Sequence, residues 1–379
     1  MQGFTHGHLR QFYRLLSRRA VLWTELEKCD DLLASETAAQ RRLSSGAAAT
    51  SGAVTLQLGG SVPASLGRAV KLASRLGSFG EHNLNCGCPS IQAGGADFGA
   101  ALMLQPALVA RCVAELADAA AEPVSIKCRV AAHASLLHDG AIPADSYERL
   151  SDFVETVAAT GALSHVVLHA RAAVLSGLSP AKNRQVPRLR YDYAARLAAD
   201  FPSLRITLNG GVHSMEELRR HLAAPGLDGV MVGRWLLRRP LDLRDIDGEV
   251  LSGDGASKVD ALWQYADYAT AALSRPGPRE LAPVLSELLC PFLLVTAQLQ
   301  DDWANQGGRP ADDELVLLTA AACNAAARVL ALATHGSCSL PAVTADDAGP
   351  GALRKLDRAI AAACGKKVHA KLLRSRKEA

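Results

Sequence analysis

The sequence predicts an α/β fold: a (β/α)8 TIM-type barrel lacking its first strand, followed by a C-terminal all-α helical bundle. Three observations carry the prediction. Short strand-like runs, each ended by turn or polar chemistry, alternate with helical patterns. The alternation stops near Gly253-Asp-Gly255, and only helical periodicity lies beyond it. Polar side chains recur where successive strands end, at the face on which barrels of this class collect their chemistry.

Taken in order, an amphipathic run through Leu16 reads as a helix. Strands are expected at Val21–Thr24, Val54–Leu58, Asn83–Asn85, Val124–Lys127, His165–His169, Ile206–Asn209 and Gly229–Val232. Helical patterns lie between them at 64–76, 106–121, 146–161, 191–200 and 214–223, and residues 37–50 read as an Ala/Ser-rich loop with one helical turn. An open doubly wound sheet would want a Gly-x-Gly-x-x-Gly turn after its first strand, and the sequence has none. The strands number seven, and only MQGFTHG stands before the first helix, where an eighth would lie. Beyond residue 252, helices are expected at 258–274, 278–304, 312–334 and 351–375. The domains are therefore 1–252, the barrel, and 253–379, the bundle.

Composition narrows the class. The chain has 379 residues, a formal charge of +3 and nine cysteines. No uninterrupted apolar run reaches the ~18 to 20 residues of a membrane span, and no leader with a cleavage site precedes the first helix. An odd number of scattered cysteines without a leader points to reduced thiols and an intracellular location, cytoplasmic or organellar. Cys86 and Cys88 have no second pair or histidine cluster at zinc spacing, so no metal is expected. Positive charge gathers at the C-terminus in Lys366, Lys367, Lys371, Arg374, Arg376 and Lys377.

Gln57, Asn85, Cys88, Lys127, Arg129, His169, Arg171 and Asn209 all fall at or just after a strand. Singly, each has a plain explanation as a turn, cap or core residue; their recurrence at successive strand ends is what points to a site. Asn209-Gly210-Gly211 and Gly233-Arg234 come after the last two strands, the usual phosphate position of such barrels. Glycine lets backbone N–H groups approach a phosphate, and arginine adds a planar cationic fork. A phosphate-bearing cofactor held there would leave its ring near Lys127, whose charge suits the anionic form of a reduced flavin.

These motifs resemble the flavin-dependent tRNA-dihydrouridine synthases, in particular the bacterial A-type branch, the tRNA-dihydrouridine(20/20a) synthases. The matching segments include Leu56-Gln-Leu-Gly-Gly60, Asn83-Leu-Asn-x-Gly-Cys-Pro-Ser90, Phe98-Gly-Ala-x-Leu-Met103, Val124-x-Ile-Lys-x-Arg129, His169-Ala-Arg171, Gly177-Leu-Ser-Pro-x-x-Asn-Arg184, Asn209-Gly-Gly211 and Val232-Gly-Arg234. The resemblance implies FMN-dependent reduction of uridine to 5,6-dihydrouridine in the tRNA D-loop, with NADPH as reductant. It implies Cys88 as the proton donor and Gln57, Lys127, His169, Asn209, Gly210, Gly211, Gly233 and Arg234 as FMN contacts. Asn85 and Arg184 match positions that touch tRNA; Arg129, Arg171 and Lys182 are assigned to the same substrate surface, and the helical domain with its basic tail to tRNA. The family opens on a strand ending in Ala-Pro-Met, which this sequence lacks. A monomer with no membrane partner is expected. Two other readings share part of the pattern: an FMN-dependent dehydrogenase of a free pyrimidine, and a non-catalytic tRNA-binding paralogue motivated by the missing strand.

Overall fold

Each predicted strand-like run becomes a strand in the computed structural model, which describes residues 1–44, 53–89, 98–135, 142–274, 281–307, 313–334, 340–366, 368–370 and 373–374. The chain begins with α1 (Gly7–Leu16), β1 (Leu22–Lys28), α2 (Cys29–Ala34) and α3 (Glu36–Ser44). It continues through β2 (Val54–Gly59), α4 (Pro63–Leu76), β3 (Glu81–Cys86), α5 (Pro106–Ala119), β4 (Val124–Arg129) and β5 (Ala132–His133). Then come α6 (Ser146–Ala158), β6 (Leu163–His169), β7 (Ala173–Val174), α7 (Tyr191–Asp200), β8 (Arg205–Asn209), α8 (Met215–Leu222) and β9 (Gly229–Met231). The remainder is helical: α9 (Arg234–Arg238), α10 (Asp242–Glu249), α11 (Lys258–Ser274), α12 (Leu281–Asn305), α13 (Asp313–Ala333) and α14 (Pro350–Cys364).

Contacts divide the chain into two compact units, one holding described residues of Trp23–Ala48 and Ala53–Val232, the other those of Gln2–Leu22 and Gly233–Ala379. In the first unit, seven strands form one sheet in the order β1-β2-β3-β4-β6-β8-β9, with parallel pairing from β2 through β9. β5 and β7 form a separate two-residue parallel pair in the loops after β4 and β6. The sheet is strongly curled. In a flat sheet β3 and β8 would lie about 14 Å apart, three strand spacings, yet Arg205 Nη2 on β8 is 3.0 Å from Glu81 Oε2 on β3.

The helices start where the sequence supplies starts: Pro63 and Pro106 occupy the first turns of α4 and α5, where proline loses no hydrogen bond. Ser214 caps α8 through its Oγ, which accepts from the Glu217 N–H. Two expectations change. The stretch read as a loop at 37–50 holds the helix α3, because Ser35 caps it and Ala39 and Leu43, four residues apart, are both fully buried; the end of that stretch lies outside the described residues. The helix expected over 351–375 breaks at Gly365, where φ is +83°. Of the basic tail, Lys366 and Arg374 are described; Lys367, Lys371, Arg376 and Lys377 lie outside the described residues.

The second unit differs in extent from the bundle expected at 253–379, because it also takes in α1, α9 and α10. Leu9, Phe12 and Leu16 of α1 are fully buried, and the Phe12 ring meets Tyr265 of α11 edge-on with centroids 5.5 Å apart. Asp247 of α10, fully buried, accepts from Ser17 Oγ and from the Gly255 N–H, which pins the turn after the helix. By length and composition α13 could cross a membrane, which qualifies the expectation from the apolar runs. In the structure it is a core helix: Ala322, Ala325, Ala326, Val329 and Leu330 are buried, and it packs with α11, α12 and α14.

Candidate active site

β3 ends at Cys86, and the turn after it is held by one side chain. Asn85 Oδ1 accepts from the N–H groups of Gly87 (3.1 Å) and Cys88 (2.9 Å), an Asx turn that sets the thiol-bearing residue at the strand end. The Cys88 carbonyl accepts from the Ala100 N–H at 2.8 Å. Gly99 lies so close, with φ +78°, that a Cβ there would come 2.5 Å from the Cys88 oxygen. The Phe98–Met103 segment is thus a backstop for Cys88. Cys88 is half-buried, whereas Cys86 and Cys128 are fully buried and in register on neighbouring strands. Burial pushes the Cys86 thiol well above its ordinary value and Cys128 to about 12. Cys88 is left as the strand-end thiol.

The sheet register brings most of the predicted residues into two neighbouring rows. Asn85 pairs with Lys127 in one; two residues on, Arg129 pairs with His169, His169 with Asn209 and Asn209 with Met231. Lys127 Nζ donates to Asn209 Oδ1 at 3.0 Å, across the intervening β6, and Asn209 Nδ2 donates to the Met231 carbonyl at 2.9 Å. Burial, with Arg129 as a nearby like charge, lowers Lys127 to about 8. Gln57 joins these rows by accepting from Asn85 Nδ2 at 3.0 Å.

Beside these rows is a glycine cradle. Gly210 (φ +107°) and Gly211 (φ +76°) both occupy conformations that favour glycine. A Cβ on Gly210 would come 2.5 Å from His169 Cδ2, and one on Gly211 would collide with the Tyr191 hydroxyl and Leu189. Tyr191 Oη donates to the Gly210 carbonyl at 3.0 Å and fixes the loop from below. The N–H groups of Gly210 and Gly211 have no acceptor among the described residues. A tight backbone turn with free donors beside a lysine has the chemistry to hold a phosphate and the ring it carries. Among the described residues, no group of His, Cys, Asp or Glu side chains is arranged to hold a metal ion.

The arginines divide. Arg129, 3% exposed, donates from Nε to the Gly87 carbonyl (3.0 Å) and from Nη1 to the carbonyls of Ala172 (3.2 Å) and Asn183 (3.1 Å). Arg171, also buried, donates to the carbonyls of Gln185 and Pro187. Both are internal braces of the loops around the strand ends, a different place from the substrate surface expected of them. Lys182 is exposed, Arg184 is half-buried in the short turn Lys182–Arg184, and Arg190 is engaged by Asp192 and the Tyr193 ring. Gly233 and Arg234 begin the second unit, separated from β9 by one residue.

Sequence reasoning passed over Asn183, which is fully buried. Its Oδ1 accepts from the Val174 N–H at 2.7 Å and its Nδ2 donates to the Val174 carbonyl at 2.9 Å. Within Gly177-Leu-Ser-Pro-x-x-Asn-Arg184 this asparagine folds the loop that carries Lys182 and Arg184. The polar barrel interior was passed over as well: Glu81, Asn83, Ser125 and His165 are buried and hydrogen-bonded to one another. The signal was a period of two, since 81, 83 and 85 share a face, as do 125, 127 and 129.

The dihydrouridine synthase (Dus) family model matches residues 1–275. The tRNA-dihydrouridine(20/20a) synthase of Pseudomonas putida is 42% identical over 279 residues, which cover 73% of this chain and 78% of that protein. Its namesake in Xanthomonas campestris is 40% identical over 275 residues, 73% of this chain and 77% of the relative. The Escherichia coli K12 protein of the same name is 40% identical over 269 residues, 69% and 70% of the two chains. On the strand-end group of Asn85, Cys88, Lys127 and Asn209, the glycine cradle beside it and these similarities, the chain belongs to the dihydrouridine synthase family.

Proposed function

We propose that the protein reduces uridine to 5,6-dihydrouridine in the D-loop of tRNA, using FMN and NADPH. As a dihydrouridine synthase the chain is an oxidoreductase that modifies tRNA; the cofactor, the reductant and the D-loop are the finer part of the proposal. The observation that carries it is the pinning of Cys88 by Asn85 beside the Lys127–Asn209 pair.

Bound at this mouth, reduced FMN would supply hydride to C6 of a uracil ring. The chain's own part is to hold the base and to move a proton. The Cys88 Sγ–H gives its proton to C5, which requires a neutral thiol within hydrogen-bond reach of that carbon. Asn85 has one amide N–H left after its bond to Gln57, and offers it to a uracil carbonyl. The N–H groups of Gly210 and Gly211 would receive the phosphate, and Lys127 and His169 would hold the group it carries. A uridine in folded RNA reaches such a site only by leaving its stack, and Lys182 and Arg184 are suited to the backbone next to the extruded base. The location is intracellular, as the reduced thiols of the sequence suggest.

Purified protein tests the reading. It should be yellow, bleach with NADPH, and form dihydrouridine on unmodified tRNA. Cys88→Ala should retain flavin bleaching while losing most product. Product formation unchanged in Cys88→Ala would remove its role, and equal activity on free uracil or orotate would favour a free-pyrimidine dehydrogenase.

A further inference from the structure

A single hydrogen-bonded chain runs through the barrel interior from the start of β3 to its end. Asn85 accepts from the Gly87 and Cys88 N–H groups with Oδ1 and donates from Nδ2 to Gln57 Oε1 at 3.0 Å. Gln57 Nε2 donates to Asn83 Oδ1 at 2.9 Å, and Asn83 Nδ2 donates to Ser125 Oγ at 2.8 Å. Ser125 Oγ donates to Glu81 Oε1 at 2.8 Å. Glu81 Oε2 takes bonds from His165 Nδ1 (2.9 Å) and Arg205 Nη2 (3.0 Å).

The direction of this chain is fixed at both ends. Amide side chains can turn over, so the middle links have no direction of their own. The backbone N–H groups at 87 and 88 can only donate, which obliges Asn85 to face them with its oxygen. An ionised carboxylate can only accept, which obliges Ser125 to donate to Glu81. Burial alone would raise the Glu81 carboxyl. The His165 and Ser125 hydrogen bonds and the Arg205 charge outweigh burial and hold it below its ordinary value, so the anion persists through the neutral range.

We propose that Glu81, about 13 Å along β3 from Asn85 at ~3.3 Å per residue, is a positioning residue for uridine reduction: by accepting from Ser125 it fixes the orientation of the Gln57 and Asn85 amides and thereby the donor that Asn85 offers the base. This rests on the function proposed above. Glu81→Gln puts an uncharged amide at the end of the chain and changes the boundary condition. Arg205 can only donate, so the introduced glutamine turns its oxygen to Arg205 and its NH2 to Ser125. Ser125 Oγ, which already takes the Asn83 NH2, then either accepts a second donor and strands its own proton without the carboxylate, or turns to donate to Asn83, in which case the Asn83 and Gln57 amides reverse and a Gln57 NH2 meets the NH2 of Asn85. On the second course Asn85 gives up either that contact or its hold on Gly87 and Cys88. Removing the Arg205 guanidinium as well lets the introduced glutamine return its oxygen to Ser125 and place its NH2 on the His165 Nδ1, which is free to accept when His165 carries its proton on Nε2 toward Thr207.

The test compares wild type, Glu81→Gln, and Glu81→Gln with Arg205→Met. Two readouts are taken: hydrogen exchange at the Gly87 and Cys88 N–H groups, and reoxidation of the NADPH-reduced enzyme by unmodified tRNA. Glu81→Gln should speed exchange at those amides and slow tRNA-dependent reoxidation by about tenfold, and the double variant should recover both to within about threefold. A purely structural role predicts the reverse, with the double variant worse than the single. Ser125→Ala, which cuts the chain without removing a charge, should also speed exchange and should not be rescued by Arg205→Met; it stands in if Glu81→Gln does not fold. Unchanged exchange in both single variants, or a double variant no better than Glu81→Gln, overturns the proposal. Absence of tRNA-dependent reoxidation in wild type would instead refute the function, and the exchange readout would still decide whether Glu81 sets the amides.

Discussion

Replacing Arg129 with methionine separates a brace from a substrate contact. Methionine keeps much of the aliphatic volume and removes the donors, leaving the carbonyls of Gly87, Ala172 and Asn183 without the bonds they accept from Nε and Nη1. A net charged hydrogen bond contributes ~1.5–3 kcal/mol, and an abandoned buried acceptor costs ~1–3 kcal/mol. Three bonds from one side chain do not add fully, so a loss of about 3–5 kcal/mol is expected. The loss falls on the segments that Arg129 ties together, one of which is the loop folded by Asn183. Local opening of residues 172–190 should become on the order of a hundredfold or more frequent, read as faster hydrogen exchange at the N–H groups of Val174 and Asn183 in protein without tRNA. Lys182→Ala, at an exposed position, is the control and should leave exchange unchanged while weakening tRNA binding. Wild-type protection of 172–190 in Arg129→Met, together with weakened tRNA binding, would refute the brace and return Arg129 to the substrate surface.

Flavin affinity should depend on pH through Lys127. Its folded value, lowered by burial to about 8, lies below its unfolded one, so the unliganded protein sheds this proton as pH passes 8. An anionic ligand needs the ammonium form, and affinity should fall above pH 8 with a limiting slope of about tenfold per unit; fluorescence titration with FMN between pH 6.5 and 9.5 checks this, and a flat profile counts against a contact with Lys127. The same displacement makes the unliganded fold gain stability from this group as pH rises from about 8 toward the unfolded value, where the unfolded chain binds the extra proton. Gly210→Ala should weaken FMN binding at least tenfold, because a Cβ at φ +107° costs ~1–2 kcal/mol in backbone conformation and strikes the His169 ring. Gly307→Ala, also at positive φ but with nothing within 4 Å of its Cβ, should cost stability and leave FMN binding intact.

Periodicity and turn chemistry made the barrel legible because short strand-like runs, each closed by polar or turn residues, alternate with helical patterns, as in Val124–Arg129 and the turn after it. The strand-end group was legible because Gln57, Asn85, Lys127, His169 and Asn209 are polar residues recurring at or near the ends of successive strands. What an arginine at such a place faces is set by tertiary packing. Arg129 and Arg184 look alike in the sequence, yet one is buried against three carbonyls and the other is half-buried in a surface turn. The extent of the helical unit was hidden too, since nothing in GHLRQFYRLL says that Phe12 will pack on Tyr265 more than 250 residues later.

The barrel interior is the more instructive case. Central parallel strands are expected to read as continuous apolar runs because both faces are covered, and on that expectation the single polar letters in EHNLNC, VSIKCR, LSHVVLH and RITLN pass for strand ends. Read with a period of two, they align into rows across the sheet: Asn83, Ser125, His165 and Arg205 in one, Asn85, Lys127 and Thr207 in the next, Arg129, His169 and Asn209 at the strand ends, with Glu81 one step below Asn83 on the same face. An interior of this kind must satisfy every donor and acceptor, because an unpaired polar group in low dielectric costs several times what a paired one contributes. That requirement ties the mouth to the floor. Asn85 can hold Cys88 in one orientation only while the links beneath it keep theirs, and those links end on a charge buried at the far end of the same strand. The orientation of Asn85 at the mouth is thereby tied to side chains at the opposite end of its strand.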